Sequence, residues 1–148
     1  MTYQILSPKI ATGDQFAHVR TMFNNDHASN DLGLKITQLS DGLCAGSMAI
    51  QERFCNGHGS IHGGYLFAFA DSLFAGACNT DGDVAVATHN SIHYIAPAFT
   101  GQQLDGIARR SHQWGRNGFV DVEVTCEGKP IASFRGTFRV LPGKPTRR

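Results

Sequence analysis

The spacing of apolar residues changes along the chain, and each change predicts a different element. Apolar side chains recur at helical spacing between positions 14 and 24: Phe16, Val19, Met22 and Phe23. This pattern predicts a short amphipathic helix over residues 14–24, with Asp14 as its cap. The polar residues 24–30 that follow predict a turn-rich segment.

Six stretches of the chain predict β-strands, because apolar residues alternate with polar ones or fill short runs between turn residues. The strands are expected at residues 32–37, 43–50, 84–95, 102–114, 118–127 and 130–141. Asp41-Gly42 predicts a hairpin turn between the first two strands, and glycine-containing turns separate the last four. Consecutive strands that are joined by short turns favour an antiparallel sheet.

Residues 63–78 form a long segment with apolar residues on nearly every helical face. A helix of this kind is expected to be buried. The simplest arrangement predicts an α+β fold, in which a curled antiparallel sheet of five to six strands wraps around one long buried helix. Because one sheet cannot cover both sides of a helix, a second copy of the chain is a natural partner.

The composition limits the classes of function. The chain has 148 residues, 41% of them hydrophobic, which is enough for one domain with a packed core. We expect a single domain over residues 1–148, with a helical lead-in over 1–30 and a flexible basic tail over 142–148. The formal net charge of +1 gives no broad positive field, so we expect no nucleic-acid partner.

Cysteine usage and hydropathy favour a reduced, cytoplasmic protein. The 4 cysteines include no CxxC pair and no spacing that is typical of a disulfide framework. The N-terminus lacks a basic start followed by an apolar run, so no signal peptide is expected. The longest apolar run, residues 65–78, is too short and too interrupted to span a bilayer, and we expect no membrane partner.

Candidate chemistry is concentrated where the long helix begins, at His62-Gly63-Gly64, and two turns later at Asp71. Glycines at a helix start leave backbone N–H groups uncovered, and these groups attract developing negative charge. A carboxylate in an otherwise apolar helix is costly to bury. The combination suggests a helix end that holds an electrophile, together with a base.

Each of these residues also has a structural interpretation. A buried aspartate such as Asp71 is often satisfied by backbone donors or by a buried cation. His62 suits a capping or core role as well as contact with a substrate, and Asn56 suits a turn. Cys55, His58 and His62 have spacings that a metal ion can use, but no fourth ligand is evident, so we expect no metal site.

The motif NGHGSIHGGYLFAFADS at residues 56–72 resembles the signature of the acyl-CoA thioesterases of the phenylacetate-degradation type. The similarity continues at residues 92–98, 121–124 and 132–136, so it extends over most of the chain. These enzymes have the hotdog fold, in which a curled antiparallel sheet wraps a central helix. The resemblance implies hydrolysis of phenylacetyl- or hydroxyphenylacetyl-CoA, with no cofactor beyond the coenzyme A of the substrate.

The resemblance also implies roles for single residues. Asp71 would be the general base that activates water, or the nucleophile itself, and the Gly63 backbone N–H would polarise the thioester carbonyl. Asn56 and His62 would shape and orient that catalytic site.

Two further positions match substrate-contacting residues of the family. They are Gly64, beside the catalytic glycine, and Thr88, which would contact the attacking water. Family members commonly form homotetramers built from homodimers, and this chain is expected to do the same.

The distance between Gly63 and Asp71 constrains how they act together. They are eight residues apart, about 12 Å along a helix. A base and an oxyanion donor must both lie within roughly 3 Å of one reacting centre. Asp71 is therefore expected to work with Gly63 of a second chain, at a two-fold interface that contains two equivalent sites.

Two functions other than hydrolysis are compatible with a hotdog fold. A non-catalytic acyl-CoA binding or sensor module usually accompanies a DNA-binding or regulatory domain, and no basic flank suggests one. Dehydration of 3-hydroxyacyl thioesters also occurs on hotdog folds, but the arrangement from His62-Gly63-Gly64 to Asp71 is that of the hydrolases. An acyl-CoA thioesterase is the leading hypothesis.

Overall fold

The computed structural model describes residues 3–143, in which three α-helices and six strands follow one another. The helices are α1 (Ala17–Asn24), α2 (His27–Leu32) and α3 (Gly63–Cys78). The strands are β1 (Lys35–Ser40), β2 (Leu43–Ala49), β3 (Val84–Tyr94), β4 (Gln103–Trp114), β5 (Asn117–Cys126) and β6 (Lys129–Leu141).

The six strands form one antiparallel sheet in the order β1-β2-β4-β5-β6-β3, so β1 and β3 are its edges. The sheet curls around α3, which packs against every strand. This confirms the predicted arrangement of a six-stranded antiparallel sheet around one long helix. The strand boundaries after residue 42 agree with the predicted ones to within one residue.

Hydrophobic burial fixes the position of α3 against the sheet. The helix buries apolar side chains toward the inner face of the sheet: Leu66, Phe69, Ala70, Leu73, Phe74 and Ala77. The sheet contributes buried side chains from β5 and β6: Val120, Val122, Val124, Phe134 and Phe138. Each large side chain buried in this way contributes about 1.5–3 kcal/mol.

Two glycines allow the sheet to approach the helix closely. A Cβ atom at Gly106 would lie 3.0 Å from the ring of Phe69, and one at Gly136 would overlap the ring of Phe74. A side chain at either position would push the sheet away from α3. These two glycines therefore allow close packing between the sheet and α3.

One side of α3 is not covered by its own chain. Gly64 and Tyr65 are exposed there, and Ala68, Asp71 and Ala75 are only half buried. Within a single chain the sheet therefore covers only one side of the helix, as the sequence predicts, and burial of the other side by a second copy stays a prediction. The open side carries Asp71.

The prediction for residues 14–24 is only partly correct. Residues 14–16 form a single 3-10 turn, and α1 begins at Ala17. Asp14 is not the cap, because Gly13 occupies the N-cap position and no side chain caps this turn. The apolar spacing located the helical segment but not its start.

The turn predicted at 24–30 is confined to residues 25 and 26, between α1 and α2. The start of the strand predicted at 32–37 is wrong. Helix α2 occupies this part of the chain, and β1 begins only at Lys35. The carboxylate of Asp26 caps α2 by accepting hydrogen bonds from the Ser29 N–H at 2.9 Å and the Ser29 hydroxyl at 2.6 Å. Gly33 ends the helix with a left-handed backbone, φ 75°. Asp26, one of the residues that suggested a turn, is therefore the cap of a helix.

Strand β3 pairs on one side only, with β6. Its side chains at Asn90, Ile92 and Tyr94 lie on the inner face, opposite the buried β6 positions Gly136, Phe134 and Ala132. A bulge between Ala87 and His89 sets Thr88 apart from this pattern.

The described residues contain no helix that is long and apolar enough to cross a membrane. Of the predicted tail at 142–148, positions 142 and 143 form a turn, and 144–148 lie outside the described residues.

Candidate active site

At the start of α3, one backbone N–H group has no hydrogen-bond partner among residues 3–143. The side chain of His62 caps the helix, because its Nδ1 accepts a hydrogen bond from the N–H of Gly64 at 2.9 Å. The N–H groups of Tyr65 and Leu66 both donate to the carbonyl oxygen of His62. Among residues 3–143 nothing accepts a hydrogen bond from the N–H of Gly63. This N–H is therefore free to bind an anionic oxygen, and the helix dipole favours one there.

Gly63 faces a cleft of about 380 Å³ between the 56–61 loop and the end of β3. Asn56 lines the same cleft and also shapes the loop, since its Oδ1 accepts from the N–H of His58 at 2.9 Å and from the hydroxyl of Ser60 at 3.4 Å. The Asn56 side chain thus makes the turn that its position beside a glycine suggested. Its Nδ2 group has no partner within the described chain, so it is available as a second donor in the cleft.

Tyr94 covers the start of α3 from the edge strand. Its hydroxyl donates to the carbonyl oxygen of Gly63 at 3.1 Å, and its side chain lines the cleft. A Cβ atom at Gly63 would lie 3.0 Å from the Tyr94 ring. Only a glycine leaves ordinary room for the tyrosine at this point.

His62 and Gly64 lie on the other side of the first turn of α3. They line a separate cleft of about 490 Å³ together with residues of α2 and the 53–54 turn. Of the roles considered for His62, the capping role is the one observed in a single chain. Its contact with substrate, like that of Gly64, stays a prediction.

Asp71 is half buried on the open side of α3, and its one hydrogen-bond partner in the described chain is Asn90 of β3. The Nδ2 group of Asn90 donates to Oδ1 of Asp71 at 2.9 Å. Burial raises the pKa of Asp71, the hydrogen bond from Asn90 lowers it, and the nearby charge of Asp26 raises it; the balance leaves the pKa above its usual value. The carboxyl group is therefore poised to accept a proton at a higher pH than an exposed aspartate.

The structure brings Asn56 and Gly63 together and leaves Asp71 apart from them in the same chain. Asp71 lies two helical turns from Gly63 and lines neither cleft. Thr88 is exposed, and its hydroxyl donates to the carbonyl oxygen of Thr137 at 3.2 Å, so within one chain it does not reach Asp71. Its contact with the attacking water stays a prediction.

Two site residues, Asn90 and Tyr94, are absent from the set predicted from sequence. Asn90 could have been found from its parity on the strand, because it shares the inner face with Ile92 and is the polar member of that row. That signal requires the register of β3 against β6, which a bulge shifts. Tyr94 carries no comparable sequence signal.

No group of three or more histidine, cysteine, aspartate or glutamate side chains within residues 3–143 could hold a metal ion. The thiol of Cys55, one of the candidates considered, instead lies 3.2 Å from the hydroxyl of Thr100 and 3.7 Å from the carbonyl oxygen of Gln51.

Comparison with known proteins gives consistent matches. The family model described as the thioesterase superfamily matches residues 58–132. The acyl-coenzyme A thioesterase PaaI of Escherichia coli is 38% identical over 133 residues, which cover 89% of this chain and 94% of that protein. A protein of Archaeoglobus fulgidus that is named a putative esterase is 30% identical, over 78% of this chain and 76% of its own length.

Solved structures agree with these relatives. The structure of the E. coli PaaI protein, from the phenylacetic acid degradation operon, superposes with a TM-score of 0.85 at 34% identity and covers 89% of this chain and 96% of that one. A mutant of the phenylacetic acid degradation protein PaaI from Thermus thermophilus superposes with a TM-score of 0.76 at 36% identity, over 78% of this chain and all of that one. The fold is therefore the hotdog fold that the sequence motif implies.

Proposed function

The chain belongs to the thioesterase superfamily and is an acyl-CoA thioesterase, and from this premise we propose which residues carry out the hydrolysis and which acyl group is released. The observation that carries the proposal is the free N–H of Gly63, which opens into a cleft at the start of α3. The proposed substrate is an aromatic acyl-CoA of the phenylacetyl or hydroxyphenylacetyl type, which is consistent with the phenylacetate context of the relatives.

Thioester hydrolysis forms a tetrahedral intermediate whose oxygen carries negative charge. We assign the Gly63 N–H as the donor that binds this oxygen, with the Nδ2 group of Asn56 beside it in the same cleft. One donor of this kind typically contributes about 3–4 kcal/mol to transition-state stabilisation. His62 supports the arrangement indirectly, because its cap on Gly64 orders the first turn of α3.

Asp71 is proposed as the general base. Its carboxylate takes a proton from water while the water oxygen bonds to the thioester carbon. When the carbon–sulfur bond breaks, the coenzyme A sulfur leaves and takes that proton from Asp71. The products are coenzyme A with a free thiol and a carboxylic acid, and Asp71 is ionised again. A positioned base typically contributes roughly 10²–10⁴-fold to the rate.

The geometry of β3 supports a site that two chains share. Tyr94 contacts Gly63, and Asn90 contacts Asp71, so the strand runs alongside both halves of the site. The two strand positions are four residues apart, about 13 Å. A two-fold axis that passes through Ile92 would pair β3 with its copy and place Asn90 opposite Tyr94 of the second chain. Asp71 of one chain would then lie near Gly63 of the other.

The surface of this edge also supports pairing with a second copy. Exposed apolar side chains cluster on β3 and on the segment after it: Val86, Tyr94, Ile95 and Phe99. An unpaired edge strand with exposed apolar residues favours pairing with another strand. We propose a homodimer as the minimal active unit and a homotetramer as its further assembly.

We place the protein in the cytoplasm, acting as one domain over residues 1–148 and needing no metal ion or cofactor other than the coenzyme A of its substrate. The free cysteines support a reducing compartment: Cys44, Cys55, Cys78 and Cys126.

A mixing experiment tests both the residues and the shared site. Asp71→Asn removes the base but keeps its shape, and Gly63→Pro removes the N–H at a helix position that accepts proline. Each variant alone should release thiol from phenylacetyl-CoA at least about 100-fold more slowly than the unchanged protein. Subunits exchanged between the two variants should recover about one quarter of the original activity, since half of the dimers would then hold one complete site of two.

Two results would contradict this proposal. An unchanged rate of thiol release by Asp71→Asn would show that Asp71 is not the general base. Two inactive variants that stay inactive after demonstrated subunit exchange would place Gly63 and Asp71 in the same chain's site. A panel of aliphatic and aromatic acyl-CoAs, assayed for thiol release with the unchanged protein, tests the substrate class separately.

A further inference from the structure

We propose that Asn90 is a positioning residue of this thioesterase: its amide group holds one carboxylate oxygen of Asp71 and leaves the other oxygen free to face the attacking water. The inference rests on the proposed role of Asp71 as the base. No sequence motif of the family pointed to Asn90, and only the register of β3 places it at the site.

The contact between Asn90 and Asp71 joins the sheet to the helix. Nδ2 of Asn90 donates to Oδ1 of Asp71 at 2.9 Å, and Oδ2 of Asp71 has no partner among residues 3–143. Because Asn90 lies on a strand of the sheet, its hydrogen bond favours one orientation of the Asp71 carboxylate. The unheld oxygen is the one that can accept a proton.

The chain makes special room for this side chain. Asn90 lies on the inner face of β3 opposite Gly136, and a Cβ atom at Gly136 would come within 2.7 Å of the Asn90 Oδ1 atom. That Oδ1 atom is the one buried side-chain polar atom in the described chain without a hydrogen-bond partner. An asparagine retained for fold stability alone would have both ends of its amide satisfied. In this structure the one hydrogen bond of the Asn90 amide group is the one to Asp71.

The charged and titratable groups around Asp71 explain why a donor is needed. Burial is the main cause that raises the pKa of Asp71, and the like charge of Asp26, which caps α2, raises it further. Burial raises the pKa of Cys78, later on the same helix, to about 12, so its thiol stays neutral and brings no charge to Asp71. Asn90 provides the stabilisation of the ionised carboxylate that opposes these effects.

The test compares Asn90→Ala with Asn90→Asp by measuring kcat/KM for phenylacetyl-CoA as a function of pH. Asn90→Ala should move the acid limb of the profile to higher pH and lower kcat/KM about tenfold or more on that limb, with partial recovery at high pH. Asn90→Asp should move the limb further, because it adds a second carboxylate beside Asp71. Ser91→Ala, the next residue on the opposite face, is the control and should leave the profile unchanged.

A role in packing alone predicts the reverse order. Asn90→Asp keeps the side-chain shape and would then behave most like the unchanged protein, while Asn90→Ala would lower the melting temperature without moving the acid limb. Asp71→Asn separates this inference from the proposed function. If Asp71→Asn is inactive but the acid limb of both Asn90 variants stays in place, the inference is overturned and the proposed base is retained. If Asp71→Asn is fully active, the proposed function fails as well.

Discussion

The hydroxyl of Tyr94 donates a hydrogen bond to the carbonyl oxygen of Gly63 at 3.1 Å. An exposed residue of the edge strand therefore holds the first residue of α3, which carries the free N–H. Four residues earlier, the same strand holds Asp71 through Asn90. The edge strand thus spans both chemical groups, so changes to β3 or to α3 should affect the same reaction.

Substitutions at Gly63 should separate the role of its N–H from the role of the space around it. Gly63→Ala adds a Cβ atom that would lie 3.0 Å from the Tyr94 ring, but it keeps the N–H. Gly63→Pro adds similar bulk and removes the N–H. We expect Gly63→Pro to lower kcat about 10²–10³-fold below Gly63→Ala, since an oxyanion donor is lost.

The control for both variants is Gly57→Ala in the preceding loop. A Cβ atom at Gly57 would meet nothing within 4 Å, and thiol release should be unchanged. Equal rates for the proline and alanine variants of Gly63 would show that the N–H takes no part in the reaction.

Asp71→Asn should stabilise the folded protein at neutral pH while it abolishes activity. Because the pKa of Asp71 is raised above 3.8 in the folded state, the folded carboxyl keeps a proton that the unfolded one has lost. Stability therefore falls as the pH rises from 3.8 through the raised pKa, and the full loss is present above it. The neutral asparagine avoids that loss.

Thermal unfolding at several pH values measures this effect. The melting temperature of Asp71→Asn should exceed that of the unchanged protein at pH 7, and the difference should shrink below pH 3.8. Asp83→Asn, at an exposed carboxylate after α3, serves as the matched control for the loss of one charge. A lower melting temperature for Asp71→Asn at pH 7 would show that the ionised carboxylate of Asp71 stabilises the folded protein, which contradicts this prediction.

Disulfide cross-linking should establish the proposed pairing of β3 with its copy. With a two-fold axis through Ile92, Ser91 of one chain lies opposite His93 of the other, and both side chains are exposed on the outer face. Opposed strand residues have Cα atoms roughly 4.5–5.5 Å apart, which suits a disulfide. The double variant Ser91→Cys with His93→Cys should therefore form covalent dimers under mild oxidation.

Each single cysteine variant is the control for the double one. A cysteine at 91 or at 93 alone would face its own copy across a diagonal of about 7–8 Å, which is too far for a disulfide. Non-reducing gel electrophoresis reads the result. Cross-linking by the single variants, or a dimer in solution that the double variant does not cross-link, would mean a different register or interface.

Gly136→Ala should reduce activity by more than its effect on stability explains. The added Cβ atom would overlap the Phe74 ring and would crowd Oδ1 of Asn90 at 2.7 Å, so Asn90 would shift away from Asp71. Overpacking of this kind typically costs about 1–3 kcal/mol. Thiol release per folded molecule should fall as well.

Gly118→Ala is the matched control, because Gly118 is also a buried glycine of the sheet, on β5. Its Cβ atom would overlap the Phe138 ring and would lie 2.5 Å from the carbonyl oxygen of His112, at a place without contact to Asp71. Denaturant unfolding should show that both variants are destabilised, while only Gly136→Ala changes activity per folded molecule. Equal thiol release per folded molecule by the two variants would show that Gly136 does not influence the site.

The long apolar segment at 63–78, the apolar stretch at 43–50 and the four alternating stretches after the helix are sufficient to predict α3 and five strands. These elements depend on local periodicity, which the sequence carries directly. Helix α2 was missed because Asp26 and Ser29 favour turns and helix caps alike, and the choice depends on the burial of Ser29 and Leu32 against the rest of the fold.

The sequence by itself determined the fold class, the helix start with its glycines, and Asp71 as a carboxylate within an apolar helix. It also predicts that Gly63 and Asp71 of one chain are too far apart to serve the same reacting centre, since the rise of a helix is fixed. Only the tertiary structure decided that Asn90 holds Asp71 and that Tyr94 covers Gly63. Those contacts depend on the register of β3 and β6, a long-range pairing that a single bulge shifts and that no local pattern records.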